Sequence, residues 1–184
     1  MTGGPLPCAT LRWSVVALAA VVGLAGCATS AAPASRPTPP PAASTPSAGV
    51  AHGLAETVDA DHSFVQATVF AYDQPVAAAA VKPSQGDYTW GAADVQTCAS
   101  RTLVFDVSVS SLPWQVVYPD GKVYPSTRIA QPQFPQPIYS STIRTLSPGQ
   151  CVRGWVVFAV PAAGQPDRIR YAPNDSTPVD WYVS

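Results

Sequence analysis

The chain has 184 residues, of which 10 are basic and 11 acidic, for a formal net charge of −1. Charged residues make up only 11 %, against about a quarter in an ordinary soluble domain, and the basic ones are scattered. A nucleic-acid footprint needs a clustered basic face, so nucleic acid is not an expected partner, and the length leaves room for one domain of ordinary size plus extras.

The first twelve residues carry one basic side chain, Arg12, and no acidic one. An apolar run follows over residues 13–24. Its length suits the apolar region of an export signal and falls short of the roughly 20 residues a spanning helix needs. Leu24-Ala25-Gly26-Cys27 closes the run and resembles the bacterial lipobox. In such signals a lipid transferase needs a nucleophilic sulfur, and a peptidase needs small residues just before its cut. The resemblance implies that residues 1–26 are a lipoprotein signal peptide, lost together with Cys8, and that Cys27 is the lipid attachment site. Each buried CH₂ contributes about 0.8 kcal/mol, and a single acyl chain binds only marginally. A diacylated Cys27 therefore implies stable attachment to the membrane, on its extracytoplasmic face.

Residues 27–60 read as a disordered Pro/Ala/Ser/Thr tether. Pro37, Pro39, Pro40, Pro41 and Pro46 favour extended geometry, and the segment has too little apolar surface to fold. Its expected work is mechanical, spacing a domain away from the lipid surface. Thr38, Ser44 and Thr45 beside prolines are formal acceptors for sugars.

Residues 61–184 are expected to fold. From His62 the pattern has period two, with Phe64, Gln66, Thr68 and Phe70 alternating with Val65, Ala67, Val69 and Ala71. Leu103, Phe105, Val107 and Val109 alternate with more polar neighbours and predict a half-buried strand. Trp114, Val116 and Tyr118 form the next strand. Asp120-Gly121 is a turn signal, and Lys122-Val123-Tyr124 resumes beyond it, so a hairpin is expected there. Residues 151–160 carry apolar side chains on both faces, which predicts a central strand. Ile169 and Tyr171 mark another strand, and Trp181-Tyr182-Val183 a last one. Short strands, turn signals and no amphipathic helical stretch predict an all-β antiparallel sandwich.

Cys98 and Cys151 are the cysteines that remain after the lipobox, and an exported protein permits a disulfide between them. A closed loop of about 50 residues gives roughly 4 kcal/mol in the chain-entropy model. A redox or nucleophilic pair is the other reading, but no C-x-x-C and no neighbouring histidine supports it.

Leu146-Ser147-Pro148-Gly149-Gln150-Cys151-Val152-Arg153-Gly154, with the apolar run that ends at Pro161, resembles the penultimate-strand signature of a known group. This is a family of unknown function in Gram-positive and actinobacterial secreted lipoproteins, related to a mycobacterial immunoprotective extracellular antigen. Asp120-Gly121 before Tyr124, and Ile169-x-Tyr171-x-Pro173 before Trp181, match in order. The resemblance spans residues 62–183 and implies an immunoglobulin-like β-sandwich. It carries no catalytic residues.

The chemistry-bearing residues are few. His62 lies beside Asp61 and near Asp59, types that can ligate a divalent cation; a solvated lead-in to the first strand is the favoured reading. No EF-hand, H-E-x-x-H or G-x-S-x-G pattern occurs. No catalytic residue, metal ligand or cofactor is assigned. The Pro-rich loop over residues 125–148 is long for a sandwich connection, and it holds Phe134, Ile138 and Tyr139. These side chains either form a contact surface for a partner or cap one end of the sandwich. Trp90, in Tyr88-Thr89-Trp90-Gly91, admits the same two readings, with burial favoured. The expected function is a non-enzymatic binding or structural module, lipid-anchored at the cell envelope, facing a protein or cell-wall partner. The alternative is a small-ligand or metal-binding lipoprotein accessory to a transporter or sensor.

Overall fold

The computed structural model describes residues 50–76 and 82–183. The expected signal peptide, Cys27 and the tether up to residue 49 lie outside the described residues.

Among the described residues all regular structure is extended. In chain order the strands are β1 (Ala51–His52), β2 (Thr57–Ala60), β3 (Val65–Asp73), β4 (Tyr88–Ala99), β5 (Val107–Val109), β6 (Trp114–Val117), β7 (Val123–Pro125), β8 (Arg144–Leu146), β9 (Cys151–Pro161), β10 (Arg168–Tyr171) and β11 (Val179–Tyr182). One sheet has the order β1-β11-β10-β6-β7 and the other β2-β3-β4-β9, while β5 and β8 pair separately. All pairings are antiparallel except β1 with β11.

The two sheets form a sandwich because each has one strongly apolar face. Val65, Ala67 and Val69 of β3, Ala93 and Val95 of β4, and Val156, Phe158 and Val160 of β9 face Trp114, Val116, Ile169 and Trp181 of the other sheet. Trp114 lies 4.8 Å from Tyr171 and 5.8 Å from Trp181, ring centre to ring centre. Large rings of this kind dominate core energetics through the area they remove from water.

Several expectations hold. The hairpin at Asp120-Gly121 joins β6 and β7, and Gly121 supplies the positive φ of 82° that the turn needs. Strands form at β3, β9, β10 and β11. Trp90 is buried. Cys98 and Cys151 face one another across β4 and β9 and are joined in a disulfide, Cα to Cα 4.0 Å.

Other expectations are corrected. The folded part begins ten residues before the expected boundary at 61, because residues 51–60 hold β1 and β2. They are fixed by pairing to β11 and β3 and by the Trp181 indole N–H, which donates to the Glu56 carbonyl at 2.9 Å. The strand expected over residues 103–109 shrinks to β5. Its only partner among the described residues is the three-residue β8, and the Leu103 N–H turns back to the Ser100 carbonyl, leaving Val104 and Phe105 exposed.

β4 is the longest strand and sits between β3 and β9, yet Gly91-Ala92-Ala93-Asp94 has no alternating apolar signal. Small side chains are what close packing on both faces requires there. A Cβ on Gly91 would collide with the Tyr72 phenol, which lies across it.

The last correction concerns β9. It is the final strand of its sheet, not a central one. Its outer face is apolar because Trp155, Val157 and Ala159 are covered by a second small core of Trp90, Ala92, Phe134, Ile138 and Val76.

The disulfide closes a sequence separation of 53 residues, for which the chain-entropy model gives about 4 kcal/mol. The double substitution Cys98→Ala, Cys151→Ala should lower the urea-unfolding free energy by roughly 2–4 kcal/mol with the fold retained. An unchanged midpoint and slope would show that the bridge does not constrain the unfolded chain.

Candidate functional site

The hydrogen-bonding edge of β9 is where the Pro-rich loop meets the sandwich. After β7 the chain runs antiparallel to β9, with the Thr127 N–H and Oγ1 both donating to the Val157 carbonyl at 2.8 and 2.9 Å. It leaves, turns through Phe134, and returns parallel to β9. On return, the Trp155 N–H donates to the Pro137 carbonyl at 2.8 Å and the Tyr139 N–H donates to the Trp155 carbonyl at 2.9 Å. An exposed edge of this length invites pairing with other chains, and the loop closes it.

Gly154 makes the close return possible. A Cβ there would stand 2.7 Å from the Tyr139 nitrogen, 2.8 Å from the Pro137 oxygen and 3.0 Å from the Ile138 carbonyl carbon. All three are backbone atoms, which cannot move aside cheaply.

Of the loop residues read either as a contact surface or as a cap on the sandwich, the two rings are buried. Phe134 and Tyr139 are each 3 % exposed, and Ile138 is half-buried. Phe134 packs edge-on against Trp90, with ring centres 5.5 Å apart, beneath the loop on the outer face of the sheet. Tyr139 reaches into the main core, where burial pushes its phenol up to about 12 against the influence of the neighbouring Thr97 hydroxyl. Apolar area decides the matter: rings of this size gain more from covering the flank of β9 than from facing water.

Asp59, Asp61 and His62 come together at one end of the sandwich, in an open hollow of about 390 Å³ shared with Asp175, Ser176 and Thr177. Asp61, His62 and Ser63 take positive φ in succession, at 48°, 55° and 65°, to make the tight turn from β2 to β3. His62 Nε2 lies 3.1 Å from the Asp175 carbonyl oxygen, and Gln66 Nε2 donates to Asp59 at 3.2 Å. Among the described residues no group of three ligating side chains converges on one point.

A cavity of about 260 Å³ lies where the two limbs of the loop part beside β9. Ile129, Ile138, Val156 and Val157 supply apolar walls, and Ser111, Ser140 and Ser141 are also among its lining residues. Ser111 ties the limbs together through its backbone. Its N–H donates to the Ser140 carbonyl at 3.0 Å, and its carbonyl accepts from Ser126 Oγ at 2.7 Å. The Ser111 side chain is different: the residue is 2 % exposed, and its hydroxyl has no hydrogen-bond partner among the described residues. A buried hydroxyl left so costs about 1–3 kcal/mol. Arg128 lies at the margin of the cavity, exposed and with no ion pair among the described residues; no carboxylate lines it.

Sequence reasoning singled out neither Ser111 nor Arg128. Arg128 is one of two arginines in the Pro-rich loop, with Arg144, and nothing in the sequence sets it apart. Ser111 had no signal either, because its role arises from contacts with residues 15 and 29 positions away.

No family model matches the chain, and no curated protein sequence matches it. Among solved structures it is similar to MPT63, a secreted protein from Mycobacterium tuberculosis. Identity is 18 %, coverage is 74 % of this chain and 99 % of that one, and the TM-score is 0.51. It is also similar to the YjhA protein from Bacillus subtilis, with 14 % identity, 71 % and 98 % coverage, and a TM-score of 0.45. At this identity the first likeness establishes the β-sandwich fold.

Gly154→Ala should cost about 1–3 kcal/mol in unfolding free energy, as overpacking against fixed backbone does. Gly164→Ala, at a loop glycine with a positive φ of 84° and its nearest neighbouring atom 3.7 Å away, provides the comparison for backbone strain alone. A cost for Gly154→Ala of only a few tenths of a kcal/mol would show that the loop does not press on β9.

Proposed function

We propose that this protein is an extracytoplasmic lipoprotein, anchored through a diacylated Cys27, whose immunoglobulin-like domain serves as a non-enzymatic binding module at the cell envelope. We place it with the secreted-lipoprotein family named above. The observation that carries this reading is the Cys98–Cys151 disulfide in the folded domain. Such bridges persist in oxidising compartments outside the cytosol. It supports, independently of the N-terminus, the export suggested by the run over residues 13–24 and by Leu24-Ala25-Gly26-Cys27.

The side chains support binding over catalysis. His52 Nδ1 lies 2.6 Å from Glu56, and His62 Nε2 lies 3.1 Å from the Asp175 carbonyl oxygen, so both imidazoles are already engaged. The MPT63-like fold suits a module of the extracellular space. In the proposed arrangement residues 28–49 act as the spacer, and an extended proline-rich chain of that length reaches roughly 70 Å. The chain then enters the sandwich at β1, beside Asp180 of β11.

Cys27→Ser should abolish incorporation of labelled palmitate. It should also move the protein from the membrane fraction into the medium, or leave it unprocessed. Retention in the membrane fraction with normal processing would contradict the anchor.

A further inference from the structure

We infer that the end of the sandwich carrying Phe64, Val104 and Phe105 is a docking surface for a basic segment of a protein partner. An apolar side chain of that segment seats on these three residues, and lysines or arginines beside it meet the carboxylates of Asp59, Asp61, Asp106 and Asp175. The inference rests on reading the domain as a binding module and does not depend on how the protein is anchored.

The surface begins with a loop that holds apolar side chains out in water. Between β4 and β5 the chain runs Arg101-Thr102-Leu103-Val104-Phe105-Asp106, with Val104 96 % exposed and Phe105 48 %. The loop is fastened at its root. The Ser100 N–H donates to the Phe64 carbonyl at 2.9 Å, the Leu103 N–H to the Ser100 carbonyl at 3.3 Å, and the Ser100 and Thr102 hydroxyls lie 3.0 Å apart. Leu103 packs on the main core, and the two residues after it do not. Phe64, 39 % exposed, lies beside them with its ring centre 5.5 Å from that of Phe105, edge to face. Ordered apolar side chains that face water add nothing to the core. Clustered, they make the apolar centre that a protein interface desolvates.

The row of rings continues into an acidic hollow. His62 lies 6.0 Å from Phe64, ring centre to ring centre, and lines the hollow with Asp59, Asp61 and Asp175. Asp106 is exposed and follows Phe105 in the chain. None of these four carboxylates is in an ion pair among the described residues, although Asp59 accepts from the Gln66 amide. Arg101 is the cation of the same loop, and it is outnumbered. The charge selects the occupant. A second copy would set these carboxylates against themselves, and an anionic bilayer would set them against phosphates. Like charges facing one another across an interface are costly, and a cationic segment turns the same field into attraction.

The test uses the full chain with Cys27→Ser, which leaves out the acyl chains, so the site is judged apart from the anchor. The probes are three capped pentapeptides: lysine alternating with leucine and phenylalanine, the same with glutamate for lysine, and the same with serine for both apolar residues. Binding is read by amide chemical shifts. The first peptide should give saturable shifts at Phe64, Val104 and Phe105 in the millimolar range, and the other two should bind at least roughly tenfold more weakly. Val104→Ser with Phe105→Ser should weaken the first peptide about five- to tenfold. Asp61 and Asp175 take positive φ, which asparagine tolerates, so Asp61→Asn with Asp175→Asn should keep the fold, weaken binding severalfold and flatten its salt dependence.

The proposal is overturned if the lysine peptide does not saturate, if the serine peptide binds equally well, or if Val104→Ser with Phe105→Ser leaves the affinity unchanged. It is overturned too if the chain floats with phosphatidylglycerol vesicles or sediments as a dimer, and Val104→Ser with Phe105→Ser abolishes that behaviour. The surface then belongs to a bilayer or to a second copy. Saturable shifts confined to another face would keep the binding-module reading and reject this site.

Discussion

The sandwich depends on how it closes the outer edge of β9. The ladder β2-β3-β4-β9 ends there, leaving one row of backbone donors and acceptors on a long apolar strand. Residues 126–141 cover that row twice, once antiparallel and once parallel, and Gly154 permits the second pass by having no Cβ. The consequences spread outward. Phe134 and Ile138 are brought over Trp90 and Val157 to make the second core, Tyr139 is fed into the first, and the limbs part to leave the cavity. A long loop would otherwise be the least stable part of a small domain. Here it is fastened by backbone hydrogen bonds at Thr127, Tyr139 and Trp155 and by buried rings.

How much of this was legible in the sequence differs by element. β9, the β6–β7 hairpin and the terminal strands announce themselves because side-chain alternation and turn chemistry are local. The disulfide was legible from a count of cysteines. β4 was hidden, since the strand packed on both faces in the middle of a sheet is built from Gly91, Ala92 and Ala93, residues with little periodic contrast. β1 and β2 were hidden for another reason. They are short, follow a proline-rich stretch and gain order from distant partners, above all the Trp181 indole on the Glu56 carbonyl. The apolar two-faced character of β9 was read correctly and its cause was not. Two covered faces can mean a central strand or an edge strand under a loop, and periodicity alone does not separate them.

The same ambiguity governs the candidate site. Phe134, Ile138 and Tyr139 marked the loop as important, and the loop is important, but its rings point inward. Arg128 is exposed at its base, and Ser111 is buried where the two limbs are tied. Neither belongs to a motif, because the site exists only when residues 111, 128 and 138–141 are gathered along β9. Gly154 and the cavity are thus two results of one packing solution.

Amide hydrogen exchange across residues 126–141 and 154–157 tests this account most directly. If the loop is a fastened cover, the amides of Thr127, Tyr139 and Trp155 exchange together, with protection close to that of the β4–β9 ladder. If those three amides exchange at rates near those of an unstructured chain while Val95 and Val156 stay protected, the loop is not part of the fold and the account fails.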